Sequence, residues 1–151
     1  MNRLLRGAVL GAAAGAAGTT ALDAVTYLDM AVRGRPASTT PARTVETLSE
    51  RVGVPVPGEG GTGDNRLAGL GALTGYAAGV GMGAVLGVAR AAGLRPGALV
   101  ASGLALVGTN GPMTVLGVTD PRTWTAVDWV SDIVPHLAYG AVTAAVLDRL
   151  T

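Results

Sequence analysis

Residues Trp124–Leu150 read WTAVDWVSDIVPHLAYGAVTAAVLDRL. The second half of this stretch is apolar enough to sit in a bilayer. The first half carries Asp128, Asp132 and His136 at i, i+4 and i+8. Each four-residue step on a helix advances about 40° beyond a full turn, so the three groups fall within an arc of roughly 80°. His136 is the sole histidine of the chain. A membrane helix with an acidic and an imidazole group on one face sets the class of the protein and names the first place to look for chemistry.

Composition supports the membrane reading. Of 151 residues, 49% are hydrophobic and 14% charged, with mean hydropathy +0.45. Soluble domains carry about 25% charged residues. There is no cysteine, which excludes disulfides and thiolate metal sites. The net charge of +1 and the absence of basic clusters with interleaved aromatics argue against nucleic acid as a partner.

Three further apolar spans precede the C-terminal one. About 20 helical residues cross a hydrocarbon core of about 30 Å, and residues 4–30, 66–93, 96–118 and 125–149 each meet that length. The Arg-flanked, Ala-rich start also fits a signal peptide. The apolar run continues past the short core such a peptide needs, through Val25, Tyr27, Leu28 and Met30, which favours a span. The expected fold is therefore all-α, a single membrane domain over 1–151. It is an integral bundle of four transmembrane helices with a short amphipathic helix in the first loop.

Glycine spacing suggests how the bundle packs. Gly7, Gly11 and Gly15 recur every four residues in the first span, and Gly71, Gly75, Gly79, Gly83 and Gly87 in the second. Small residues at this spacing let helix backbones approach closely in lipid. The same ridges offer a surface for a homo-oligomer or a membrane-protein partner.

The polar segment 33–65 holds one helix candidate. Val45, Leu48 and Val52 share a face over Thr44–Val52. The Gly-rich stretch up to Asn65 reads as a flexible return, with no phosphate-loop pattern. In the third span, Gly108-Thr109-Asn110-Gly111-Pro112 suggests a kink or local break, and Asn110 is placed to bond across to another helix. Pro135 is expected to bend the last helix beside His136. Trp124 and Trp129 suit the headgroup level of the membrane.

The candidate polar network comprises Asp23, Asp128, Asp132, His136, Tyr27, Tyr139 and Asn110. Intramembrane carboxylates normally face the protein interior and have a partner, although Asp23 also fits a hydrated place near the interface. Three readings compete. The network ties the bundle together. Or it binds or relays protons or a cation, since a histidine ordinarily changes charge between about pH 5 and 8. Or it holds a metal, which one histidine and no HExxH pattern disfavour. No nucleophile-base order or nucleotide fingerprint stands out. The chain is read as a non-enzyme without catalytic residues, cofactor or metal, whose surroundings are the lipid bilayer.

The runs Pro112-Met-Thr-Val-Leu-Gly117-Val-Thr119-Asp-Pro121 and Trp129-Val-Ser131-Asp132-Ile133-Val-Pro-His136-Leu137 resemble the YagU-like bacterial inner-membrane proteins. Those show a Pro…Gly-x-Thr-x-Pro segment and then Ser-Glu-Ile-x-Gly-His-Leu in the last helix. Asp132 takes the place of the acidic residue and His136 that of the histidine, whereas Pro135 departs from the family's glycine. The resemblance covers the last third of the chain. It implies a multi-pass protein of the bacterial cytoplasmic (inner) membrane with its long loop outside, and a loose link to acid tolerance. Arginine in the short connections points to cytoplasmic termini.

Overall fold

The computed structural model describes residues 1–151 and is all-helical. Four long helices, α1 (Arg3–Arg33), α3 (Gly61–Ala91), α4 (Ala98–Val115) and α5 (Ala126–Leu150), form the bundle. The short α2 (Thr40–Arg51) lies between α1 and α3. A 3-10 turn, Pro121–Thr123, precedes α5. Each long helix is long and apolar enough to cross a membrane, with window hydropathies of 1.3 to 1.5. The shortest, α4, has 18 residues, about 27 Å at 1.5 Å per residue.

Local chemistry sets the helix ends. The Asn2 side chain accepts a hydrogen bond from the Leu5 N–H at 2.7 Å and caps α1. Gly34, at φ 64°, ends it in the left-handed conformation that glycine adopts without a Cβ penalty. α3 begins at Gly61, so the stretch expected to be a flexible return is helical up to Asn65. Two contacts hold it: Arg66 Nη1 donates to the Pro57 carbonyl at 2.6 Å, and Gly63 packs against Gly58.

Sequential long helices alternate in direction. α1 packs between α3 and α5, and α4 closes the ring against α5 and α3. Every packed pair among the long helices is thus antiparallel. Along α1 and α3, Gly7 faces Gly87, Gly11 faces Gly83 and Gly15 faces Gly79. A Cβ added to Gly7 would lie 2.6 Å from the Gly87 carbonyl oxygen, and one on Gly15 2.5 Å from that of Gly79. The two backbones are in direct contact there. The rest of the α3 glycine series does not join this contact: Gly71 meets Pro41 and Ala42 of α2, and Gly75 meets nothing within 4 Å.

α4 stays helical from Ala98 to Val115, with no break at Gly108–Pro112. Pro112 lies near the C-terminal end of the helix, so its missing N–H frees only the Gly108 carbonyl. On its outer turns Gly108 admits the Met82 side chain of α3.

The core is small: Ala14, Leu86, Ala101 and Leu147 form one buried cluster. Only 23 of 151 residues are buried, while Leu73, Val85, Leu99 and Val107 point outward at 59–78% exposure. Apolar faces turned outward on helices of spanning length mark a multi-pass membrane protein in contact with lipid.

Candidate functional site

The site is built on the N-terminal half of α5 and the facing turns of α4. Thr125 caps α5 in a reciprocal box. The Thr125 N–H donates to Asp128 Oδ2 at 2.9 Å, and the Asp128 N–H donates to Thr125 Oγ1 at 3.3 Å. Asp128 is thereby committed to starting the helix and stands apart from the groups deeper along it.

One turn on, Asp132 faces α4. Its Oδ2 accepts a hydrogen bond from Asn110 Nδ2 at 2.7 Å. One further turn on, His136 is buried, with its side chain 10% exposed. Its Nδ1 lies 2.7 Å from the Asp132 main-chain oxygen and 3.5 Å from Asp132 Oδ1. Its Nε2 lies 3.3 Å from Thr109 Oγ1 on α4. Pro135, buried beside it, has no N–H and leaves the Ser131 carbonyl without its usual donor. Thr109, Asn110, Asp132 and His136 thus form a polar joint between α4 and α5.

The joint fixes where a proton can be exchanged. A carbonyl oxygen only accepts, so the bond to Asp132 O places the hydrogen on Nδ1. Any change in charge then occurs at Nε2, the atom facing Thr109. The Thr109 hydroxyl has a single hydrogen, and it also lies 2.9 Å from the Ala105 carbonyl. With a neutral ring, that hydrogen serves either Ala105 or Nε2. With Nε2 protonated, the ring donates to Thr109 and Thr109 donates to Ala105, so every group is satisfied.

The remaining candidates lie elsewhere. Asp23 is partly buried on α1 and has no hydrogen bond or ion pair to another side chain. Tyr27 is 62% exposed. Tyr139 is fully buried, and its hydroxyl donates to the Gly79 carbonyl of α3 at 2.6 Å. Asp29 binds Arg33 and Arg35 at the end of α1, and Arg33 reaches Ser131 of α5 at 2.6 Å. Trp124 and Trp129 stack edge to face with centroids 4.9 Å apart, and Trp124 Nε1 donates to Thr119 Oγ1 at 3.1 Å.

One participant, Thr109, and one role, the capping by Asp128, were not foreseen. Thr109 enters through the register of α4 against α5, which single-helix periodicity does not carry. The capping role of Asp128 does have a sequence signature, Thr125-x-x-Asp128 ahead of an apolar run.

No third His, Cys, Asp or Glu lies close enough to Asp132 and His136 to form a metal-binding group. Comparison with protein families, curated proteins and solved structures returns no match.

Proposed function

We propose that this multi-pass membrane protein responds to protons through the α4–α5 joint, with His136 as the group that gains and loses charge. The observation that carries this is the double engagement of one buried imidazole: Nδ1 is held by Asp132 on its own helix, and Nε2 faces Thr109 on the neighbour. Protonation at Nε2 turns an ambiguous contact into a donated bond between helices. His136 is then a positioning group whose charge sets how firmly α4 and α5 are joined. The resemblance to YagU-like inner-membrane proteins supports this reading, because the two motif positions it singles out are Asp132 and His136. On the same basis we place the protein in the bacterial inner membrane.

Charge favours cytoplasmic termini. The side bearing both ends of the chain and the α3–α4 turn carries Arg3, Arg6, Arg90, Arg95 and Arg149 against Asp148 alone. The opposite side has about as many arginines, but Arg33, Arg35, Arg43 and Arg51 lie in the long 33–65 loop mixed with Glu46, Glu50, Glu59 and Asp64, and short connections weigh more in setting orientation.

The rival reading is a structural or assembly subunit that binds a larger complex through its glycine faces. The paired glycines of α1 and α3 are occupied by one another within the chain. That leaves a partner the outward Gly69, Gly75 and Gly81 of α3 and Gly103 of α4.

Nitrogen NMR of the single imidazole tests the proposal. The neutral ring is expected to carry its hydrogen on Nδ1, and acid is expected to add the second at Nε2 with a concurrent change in the Thr109 signals. A neutral ring protonated at Nε2, or Thr109 signals indifferent to the ring's charge, would remove the basis of the joint.

A further inference from the structure

At the end of the bundle opposite the loop of α2, the molecule has a cavity of about 390 Å³. This lies within the range of small-molecule sites, about 300–1,000 Å³. Arg3 and Arg6 of α1, Arg90 of α3 and Arg95 of the α3–α4 turn line it. Gly7 and Gly87 lie on its wall where α1 and α3 touch, and Leu10, Leu94 and Leu150 add apolar surface. Arg90 is paired with Asp148 of α5. Arg3, Arg6 and Arg95 are exposed and make no ion pair within the chain.

Like charges converge on one cavity here because three separate elements end together: the start of α1, the end of α3 and the turn into α4. Asp148 is the one acidic side chain paired with them. The helix N-termini of α1 and α4 and the C-termini of α3 and α5 meet on this side, so their dipoles largely cancel and the arginine side chains supply the positive charge. The guanidinium group is suited to phosphate oxygens, to which it donates parallel hydrogen bonds. Apolar side chains beside the arginines suit a ligand with a charged head and a hydrocarbon body. Basic recesses between transmembrane helices bind lipid head groups in this way.

We propose that this cavity binds the phosphate of an anionic phospholipid head group, held by Arg3, Arg6 and Arg95, with Arg90 fixed against Asp148 as part of the wall. The site is independent of the α4–α5 joint, because none of its residues touches Thr109, Asn110, Asp132 or His136.

The test uses the full chain in neutral detergent, titrated with phosphatidylglycerol, phosphatidylcholine or inorganic phosphate. Lipid adducts are read by native mass spectrometry and stabilisation by the rise in Tm. Phosphatidylglycerol is expected to bind and raise Tm, and phosphatidylcholine to do neither. R6Q/R95Q is expected to weaken binding by about tenfold or more, as loss of charged hydrogen bonds does. R43Q, on α2 at the other end, is expected to leave it unchanged. Stabilisation by the lipid but not by phosphate assigns the site to a membrane head group. Equal stabilisation by phosphate, lost in R6Q/R95Q, assigns it to a free phosphate and supports the arginine site. Binding of phosphatidylglycerol no tighter than phosphatidylcholine, or unchanged in R6Q/R95Q, overturns the proposal. Wild-type binding that is indifferent to added salt overturns it as well, because exposed charge pairs are screened. That measurement needs no variant to fold.

Discussion

The Tyr139 hydroxyl lies 2.6 Å from the Gly79 main-chain oxygen and donates to it through the middle of the bundle. The bond joins α5 to α3, two helices otherwise separated by α1 and α4. Close approach makes it feasible: Gly79 has no side chain, and α1 presents Gly15 to Gly79 and Gly18 to the Tyr139 ring. Interhelical hydrogen bonds in membranes contribute about 0.6 kcal/mol on average. Tyr139→Phe is therefore expected to lower stability by about that amount, since the ring still fills its place. Tyr139→Ala, which also removes a fully buried ring, is expected to lower it severalfold more. Reversible unfolding in mixed micelles measures both.

The glycines make a sharper contrast. A Cβ at Gly83 would lie 2.5 Å from the Gly15 Cα and would also meet the Gly11 carbonyl. The obstruction is backbone, which cannot turn aside. Gly83→Ala is expected to push α1 and α3 apart and to cost about 1–3 kcal/mol, the usual penalty of overpacking. Gly75, two steps along the same series, has open space around it. Gly75→Ala is expected to be neutral or to stabilise by up to about 1 kcal/mol, the helix preference of alanine over glycine. Equal effects of the two substitutions would contradict the packing described.

The sequence alone carried the fold class because spanning length and apolar composition survive without knowledge of any partner. It carried less of the site. Asp128, Asp132 and His136 share a face on one helix, but helical phase is blind to where the helix begins. With α5 starting at Ala126, Asp128 falls in the first turn and caps it. Asn110 was visible as a polar group in an apolar span. Its partner Asp132, and the place of Thr109, depend on how α4 slides against α5. The Gly108–Pro112 segment looked like a break because each residue type disfavours helix interiors. Position near the helix end, and the packing of Gly108 over Met82, outweigh that preference.

Asp128 and Asp132 are expected to separate experimentally. Thr125→Ala removes a cap and should cost about 1 kcal/mol, leaving the imidazole signals of His136 as they were. Asp132→Asn should change those signals while leaving the first turn of α5 intact. Amide exchange of the first turn and nitrogen NMR of the ring report the two sites separately.

Acid acts elsewhere at a different pH. In the turn before α5, the Arg122 guanidinium and its N–H hold the Asp120 carboxyl below the ordinary carboxylate range. A lowered folded-state value means that the turn is supported at neutral pH. That support is lost as pH falls below about 3.9 through the folded-state value. Ordering of Pro121–Thr123 should therefore persist at pH 5, and Asp120→Asn should abolish its acid sensitivity.

The most direct measurement is the distance between spin labels on the loop-side ends of α4 and α5, at Val115 and Val127, in nanodiscs. Both positions are exposed, and the chain has no cysteine to compete for the label. The account predicts a shorter, narrower distance distribution at pH 5 than at pH 8, with the difference lost in His136→Gln. Identical distributions at the two pH values, or a difference that survives His136→Gln, would contradict it.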